Sequence, residues 1–96
     1  MTPKQYRKVL NLYKKRLEKM DSIEHEYPLG DYVPRDIYRL YRAIPNHCYA
    51  MISQMLAFLE EKRIDKLNRW LGFIQGCLWA TGVYTIDELR KHNKSK

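Results

Sequence analysis

Long apolar runs are missing from this 96-residue sequence. No stretch approaches the roughly 20 consecutive apolar residues that cross a bilayer, so no membrane span is expected. Residues 1–8 are polar and charged and lack the apolar core of a secretory signal. Cysteine is scarce as well, with only Cys48 and Cys77. Two are too few for a disulfide framework, and both fall on apolar helical patterns. They are expected as reduced, buried side chains in a cytoplasmic protein.

Motifs that carry chemistry are equally thin. His25, His47, Cys48, Cys77 and His92 are the soft metal ligands available, yet there is no CxxC, no HExxH and no paired spacing. A thiol–imidazole pair between His47 and Cys48 or Cys77 would use sulfurs on apolar stripes, where thiols are inert. Gly72 and Gly76 lie inside a helical pattern and lack the Lys-Ser/Thr that follows a phosphate-cradling loop. Glu60-Glu61 and Asp87-Glu88 read as a helix end and a helix start. These absences argue against catalysis, and the expectation is a non-enzyme with no metal and no cofactor.

Positive charge, by contrast, is abundant. Lys and Arg number 18 against 11 Asp and Glu, for a formal charge of +7. The excess is uneven. Residues 1–21 carry Lys4, Arg7, Lys8, Lys14, Lys15, Arg16 and Lys19 against Glu18 and Asp21, whereas in residues 22–36 Glu24, Glu26, Asp31 and Asp36 oppose Arg35 alone. Such asymmetry speaks to partners more than to fold. With 45% hydrophobic and 30% charged residues the chain is globular in composition. Its length suits one domain spanning 1–96, with 91–96 as a flexible tail.

Helical signals dominate. Thr2-Pro3-Lys4-Gln5 is a capped start. Tyr6, Val9, Leu10, Tyr13, Leu17 and Met20 recur at helical spacing, and Ile23 and Tyr27 extend the stripe, so a long first helix is expected to about His25, stopped by Pro28. A short helix after Pro34 would turn Ile37, Leu40, Tyr41 and Ile44 inward and end at Pro45, with Asn46 capping the next. Cys48, Met51, Ile52, Met55, Leu56 and Leu59 form a one-sided stripe. Asp65 is the expected cap of a helix through Thr81, closed by Gly82 in the left-handed position. Thr85-Ile86-Asp87-Glu88 is a second capping box, with Tyr84 and Leu89 as its hydrophobic staple. The expected fold is all-α: a compact four- to five-helix bundle with a long N-terminal helix, a short central helix, an antiparallel helix pair and a short C-terminal helix.

Three surfaces stand out. Lys4, Arg7, Lys8 and Lys15 on the first helix form a basic face, suited to an acidic partner or phosphates, or simply to solvation. Tyr32, Arg35, Tyr38, Arg39 and Arg42 interleave aromatics with arginines, the residue types enriched at binding hot spots and able to stack on a nucleotide. Alternatively, Tyr41 packs inward while Arg39 and Arg42 pair with Asp36 or Glu24. On the later helix, Trp70, Phe73 and Trp79 do not share one stripe with Leu71, Ile74 and Leu78. A helix apolar on so much of its circumference is either buried in the middle of the domain or shared with a second subunit, and homo-oligomerisation is expected; Gly72, Gly76 and Ala80, four apart, suggest tight helix packing. No recognition helix with several base-reading side chains supports a helix-turn-helix.

The string Arg69-Trp70-Leu71-Gly72-Phe73-Ile74-Gln75-Gly76-Cys77-Leu78-Trp79, followed by Tyr84-Thr85-Ile86-Asp87-Glu88-Leu89 and His92-Asn93, resembles the C-terminal segment of small accessory proteins of tailed bacteriophages. The resemblance covers about a third of the chain and carries no catalytic residue. It implies the bacterial host cytoplasm as compartment. It also implies a binding protein that inhibits or modulates a host or antiviral-defence protein by occluding its surface. Two further readings remain open: a protein that sequesters a nucleotide ligand between helices, and a nucleic-acid binder acting through the basic first helix.

Overall fold

The computed structural model describes residues 1–20 and 37–94, and of residues 37–42 the backbone alone. These form four α-helices and no strand: α1 (Pro3–Lys19), α2 (Ile37–Glu60), α3 (Ile64–Ala80) and α4 (Ile86–Asn93). The all-α bundle expected from the sequence is what forms.

Helix α1 begins at the expected capping box. Gln5 donates its backbone N–H to Thr2 Oγ1 at 3.2 Å, and Thr2 donates its own to Gln5 Oε1 at 2.6 Å, satisfying two backbone donors that the first turn leaves open. Tyr6, Val9, Leu10, Tyr13 and Leu17 are buried along one face. Burying each such side chain contributes about 1.5–3 kcal/mol, and that burial, more than propensity, is what keeps a helix formed. The helix stops at Lys19, well before His25. The next position on the stripe, Met20, is exposed, so an added turn would have no core to rest on. Ile23, Tyr27 and Pro28 lie outside the described residues.

Helix α2 corrects the sequence reading more deeply. Pro45 neither ends a helix nor yields to a cap at Asn46; it lies inside one continuous helix of 24 residues. Proline removes one ladder bond and strains the preceding turn, at about 3 kcal/mol. Here the apolar stripe keeps its phase across the proline, with Ala43, Cys48, Met51, Ile52, Met55 and Leu59 buried and Ile44 packed against the same core. Continuous burial on both sides outweighs the lost bond.

A short turn joins α2 to α3 as an antiparallel pair. Arg63 N–H donates to Phe58 O at 2.8 Å and Lys62 N–H to Leu59 O at 3.1 Å, with Lys62 in the left-handed region at φ 59°. The cap of α3 is Arg63, without a side-chain bond. Asp65, expected there, sits inside the first turn, where its charge suits the positive end of the helix dipole. Leu67, Leu71, Ile74 and Leu78 bury against α2. Gly82 takes the left-handed position as expected, at φ 75°, and Val83 N–H closes on Leu78 O at 2.8 Å.

Two side-chain bonds join α1 to α3, from Tyr6 to Asn68 and from Gln75 to Tyr13. The core therefore lies between α1, α2 and α3, and α4 closes one end.

Candidate functional site

Helix α4 decides where the cationic side chains gather. Its start is fixed by the second capping box, in which Glu88 N–H donates to Thr85 Oγ1 at 3.1 Å and Thr85 N–H to Glu88 Oε1 at 3.0 Å. Tyr84 and Leu89 pack against the core on either side of this box, as the staple predicts. The far end is held by a polar cluster. Gln75 and Asn93 exchange amide bonds, Nε2 to Oδ1 at 2.7 Å and Nδ2 to Oε1 at 3.0 Å. Gln75 Nε2 also donates to the Tyr13 hydroxyl at 2.9 Å, and that hydroxyl lies 2.9 Å from His92 Nδ1. The rings of Tyr13, Tyr84 and His92 meet at centroid distances of 4.8–5.4 Å. The expectation of a flexible tail from residue 91 is thus corrected for Lys91, His92 and Asn93, which are helical, with the last two bonded to α1 and α3. A sequence view sees only a polar end here. The buried amide of Gln75 and the Tyr13 hydroxyl need partners, and α4 supplies them.

Docking α4 in this way opens a cleft of ≈ 720 Å³ against the first half of α1. Lys4 and Lys8 rise from one wall, and Lys91 and Lys94 from the other. Val9 and Leu12 lie between them, and Leu12 is 42% exposed. Half-buried His92 completes the wall, and among the described residues no carboxylate lines it. Four lysines and two apolar side chains thus line one concavity.

Of the basic residues singled out on α1, the structure brings Lys4 and Lys8 together at the cleft. Lys15 is exposed further along α1, beyond the lining. Arg7 is elsewhere, donating to Glu60 Oε1 at 2.7 Å across to α2. Tyr32 and Arg35 lie outside the described residues, and Tyr38, Arg39 and Arg42 belong to α2 with only their backbone described. Lys91 and Lys94 escaped the sequence reading, which singled out basic residues on the first helix and among residues 32–42 alone. The available signal was the spacing of Leu89, His92 and Asn93, three and four apart on one helix face.

The outer side of α3 is a second distinct surface. Phe73 and Trp79 are 53% and 54% exposed. Gly72 and Gly76 have open space where a side chain would sit, with nothing within 4 Å. The close packing expected at these glycines is therefore absent within the described chain. The third aromatic, Trp70, is half-buried edge-on to Phe58 at 4.8 Å, with the Lys66 ammonium over both rings.

Electrostatics follow the same geometry. Burial pushes the Tyr13 hydroxyl up to about 12, against the opposing effect of the Gln75 bond. Burial lowers the His92 pKa, an effect that Glu88 partly offsets. The cysteines pair with each other: a hydrogen bond from the Cys48 thiol lowers the Cys77 pKa, while Cys48 is raised by the same bond and by burial. His47 packs edge-on against Phe73 at 6.1 Å. Among the described residues no group of three or more His, Cys, Asp and Glu side chains is placed to hold a metal ion, and no helix is long and apolar enough to cross a membrane. No known protein family, curated protein or solved structure matches this chain.

Proposed function

We propose that the chain is a binding protein that covers an acidic surface of a protein partner, with the lysine-lined cleft as its contact site. The observation that carries this reading is that Lys4, Lys8, Lys91 and Lys94, far apart in the sequence, line one concavity that has no carboxylate among the described residues. Val9 and Leu12 in its lining favour a protein partner over nucleic acid. An apolar centre ringed by charge is the anatomy of a protein–protein contact, whereas single-stranded nucleic acid calls for aromatic faces to stack on. The mechanism is occlusion. The resemblance of the C-terminal third to phage accessory proteins makes a bacterial host or antiviral-defence protein the class to test first.

The test is capture from bacterial lysate by the wild type, by Lys4→Glu/Lys8→Glu and by Lys91→Glu/Lys94→Glu, with helicity checked by circular dichroism. Both double variants should lose the captured protein by at least about tenfold, the equivalent of 1.4 kcal/mol. Retention by both would remove the cleft as the contact site. If the captured material is instead digested by nuclease and its affinity falls by about one logarithmic unit per phosphate contact for each tenfold rise in salt, the partner is nucleic acid.

A further inference from the structure

We propose that His92 makes occupation of the lysine-lined cleft proton-linked, so that an acidic ligand binds with uptake of a proton on the imidazole and binds more tightly as the pH falls. This rests on the reading of the cleft as a site for acidic partners.

The argument begins with hydrogen-bond accounting. Both N–H groups of the Gln75 amide are committed, one to the Tyr13 hydroxyl and one to Asn93 Oδ1, and Asn93 Nδ2 returns a bond to Gln75 Oε1. The Tyr13 hydroxyl therefore accepts from Gln75 and has one proton left to give. It goes to His92 Nδ1 at 2.9 Å. The ring is then neutral and carries its proton on Nε2.

Adding a proton at Nδ1 reverses that bond, and the imidazolium now donates to Tyr13. The cluster keeps the Tyr13 and Asn93 bonds through the reversal. If the two amides turn over together, Gln75 Oε1 accepts from both Tyr13 and Asn93 Nδ2, while Gln75 Nε2 donates to Asn93 Oδ1. In both protonation states the Tyr13 hydroxyl gives one bond and takes one. The protonated state leaves one Gln75 N–H without a partner in the cluster, at a cost of about 1–3 kcal/mol. What further opposes the proton is burial.

The charges facing His92 come from every element around it. Lys4 and Lys8 on α1 and Lys91 and Lys94 on α4 line the same cleft. Glu88 on α4 favours the imidazolium. Tyr13 and Tyr84 contact the ring, Arg16 on α1 acts on Glu88 and Tyr84, and α3 contributes the neutral Gln75. An acidic ligand cancels the lysine field and sets negative charge beside the ring. That shifts the balance toward protonation, and by reciprocity the proton strengthens binding by the same factor. The sign is fixed because burial lowers the His92 pKa in the free protein, so the ring has a charge to gain on binding. A rise of half to one pKa unit on binding corresponds to roughly three- to tenfold tighter association at the acidic end.

The experiment uses the full chain and a fluorescent peptide of glutamate–glutamate–leucine repeats, whose carboxylates stay ionised between about pH 6 and pH 8. Its affinity is measured by anisotropy across that range. In His92→Asn the side-chain oxygen stands in for Nδ1 and accepts the Tyr13 proton, but it cannot take up another. The wild type should bind roughly two- to threefold more tightly at the lower pH, while His92→Asn should show a flat profile whatever its own affinity. In parallel, the His92 ring signals in a magnetic resonance titration should move to a higher pKa on saturation with peptide. An undiminished slope in His92→Asn, or a ring pKa unmoved by peptide, overturns the proposal. If the variant fails to fold, the ring titration of the wild type decides. A peptide that binds neither pH form, or binds Lys4→Gln/Lys8→Gln equally well, removes the cleft reading itself and this inference with it.

Discussion

The cleft between α1 and α4 and the outer face of α3 lie on the same small bundle, yet they are finished to different degrees. Around the cleft every buried polar group has a partner: Gln75, Tyr13, His92 and Asn93 bond to one another. The α3 face keeps Phe73 and Trp79 in solvent and leaves empty space beside Gly72 and Gly76. The first is a shaped concavity with fixed walls. The second is apolar area whose one ring contact among the described residues is His47, edge-on at Phe73. Fixed geometry with converging charge is what a specific contact needs, so the cleft carries the functional reading and the α3 face does not.

The comparison can be broken by removing the bonds that shape the cleft. Gln75→Leu keeps the volume but strips Tyr13 and Asn93 of their partner, so urea denaturation should show a loss of about 2–4 kcal/mol. Cleft binding should fall with it while the α3 face is left as it was. It is sharpened by filling the glycine row. Gly72→Ala and Gly76→Ala meet open space and improve helix propensity, so each should raise stability by about 0.8–1 kcal/mol in dilute thermal melts. If a second copy packs on that face, the sign reverses at high protein concentration.

The smallest effect concerns pH. Burial lowers the His92 pKa in the folded state, so the unfolded chain binds the proton more readily. Stability is complete above the ordinary histidine pKa of about 6.5. It declines as the pH falls from there through the lower folded-state value. Denaturant midpoints at several pH values should show this decline in the wild type, and it should be reduced in His92→Asn.

Much of the fold is legible in the sequence because its signals are local. Both capping boxes, the left-handed Gly82 and the buried stripes of α1, α2 and α3 follow from residues a few positions apart. Pro45 misleads because a local rule is outweighed by burial on both sides of it, which only the packed bundle supplies. The length of α1 misleads for the opposite reason: the apolar pattern continues past Leu17, but Met20 is exposed. The site was half legible. Lys4 and Lys8 announce a basic helix face, but nothing near Lys91 and Lys94 says that they stand opposite. That pairing depends on contacts between residues 13 and 92 and between 75 and 93, and such distances in sequence leave no periodic trace.

The way the cleft draws on both ends of the chain also sets when it can exist. During synthesis the lysines of α1 leave the ribosome before those of α4. A nascent chain with its final helix still in the exit tunnel has the core positions of three helices and one wall of the cleft, but nothing to face it. The proposed contact therefore needs α4 to have emerged and docked; before that only one wall, a basic helix, is on offer.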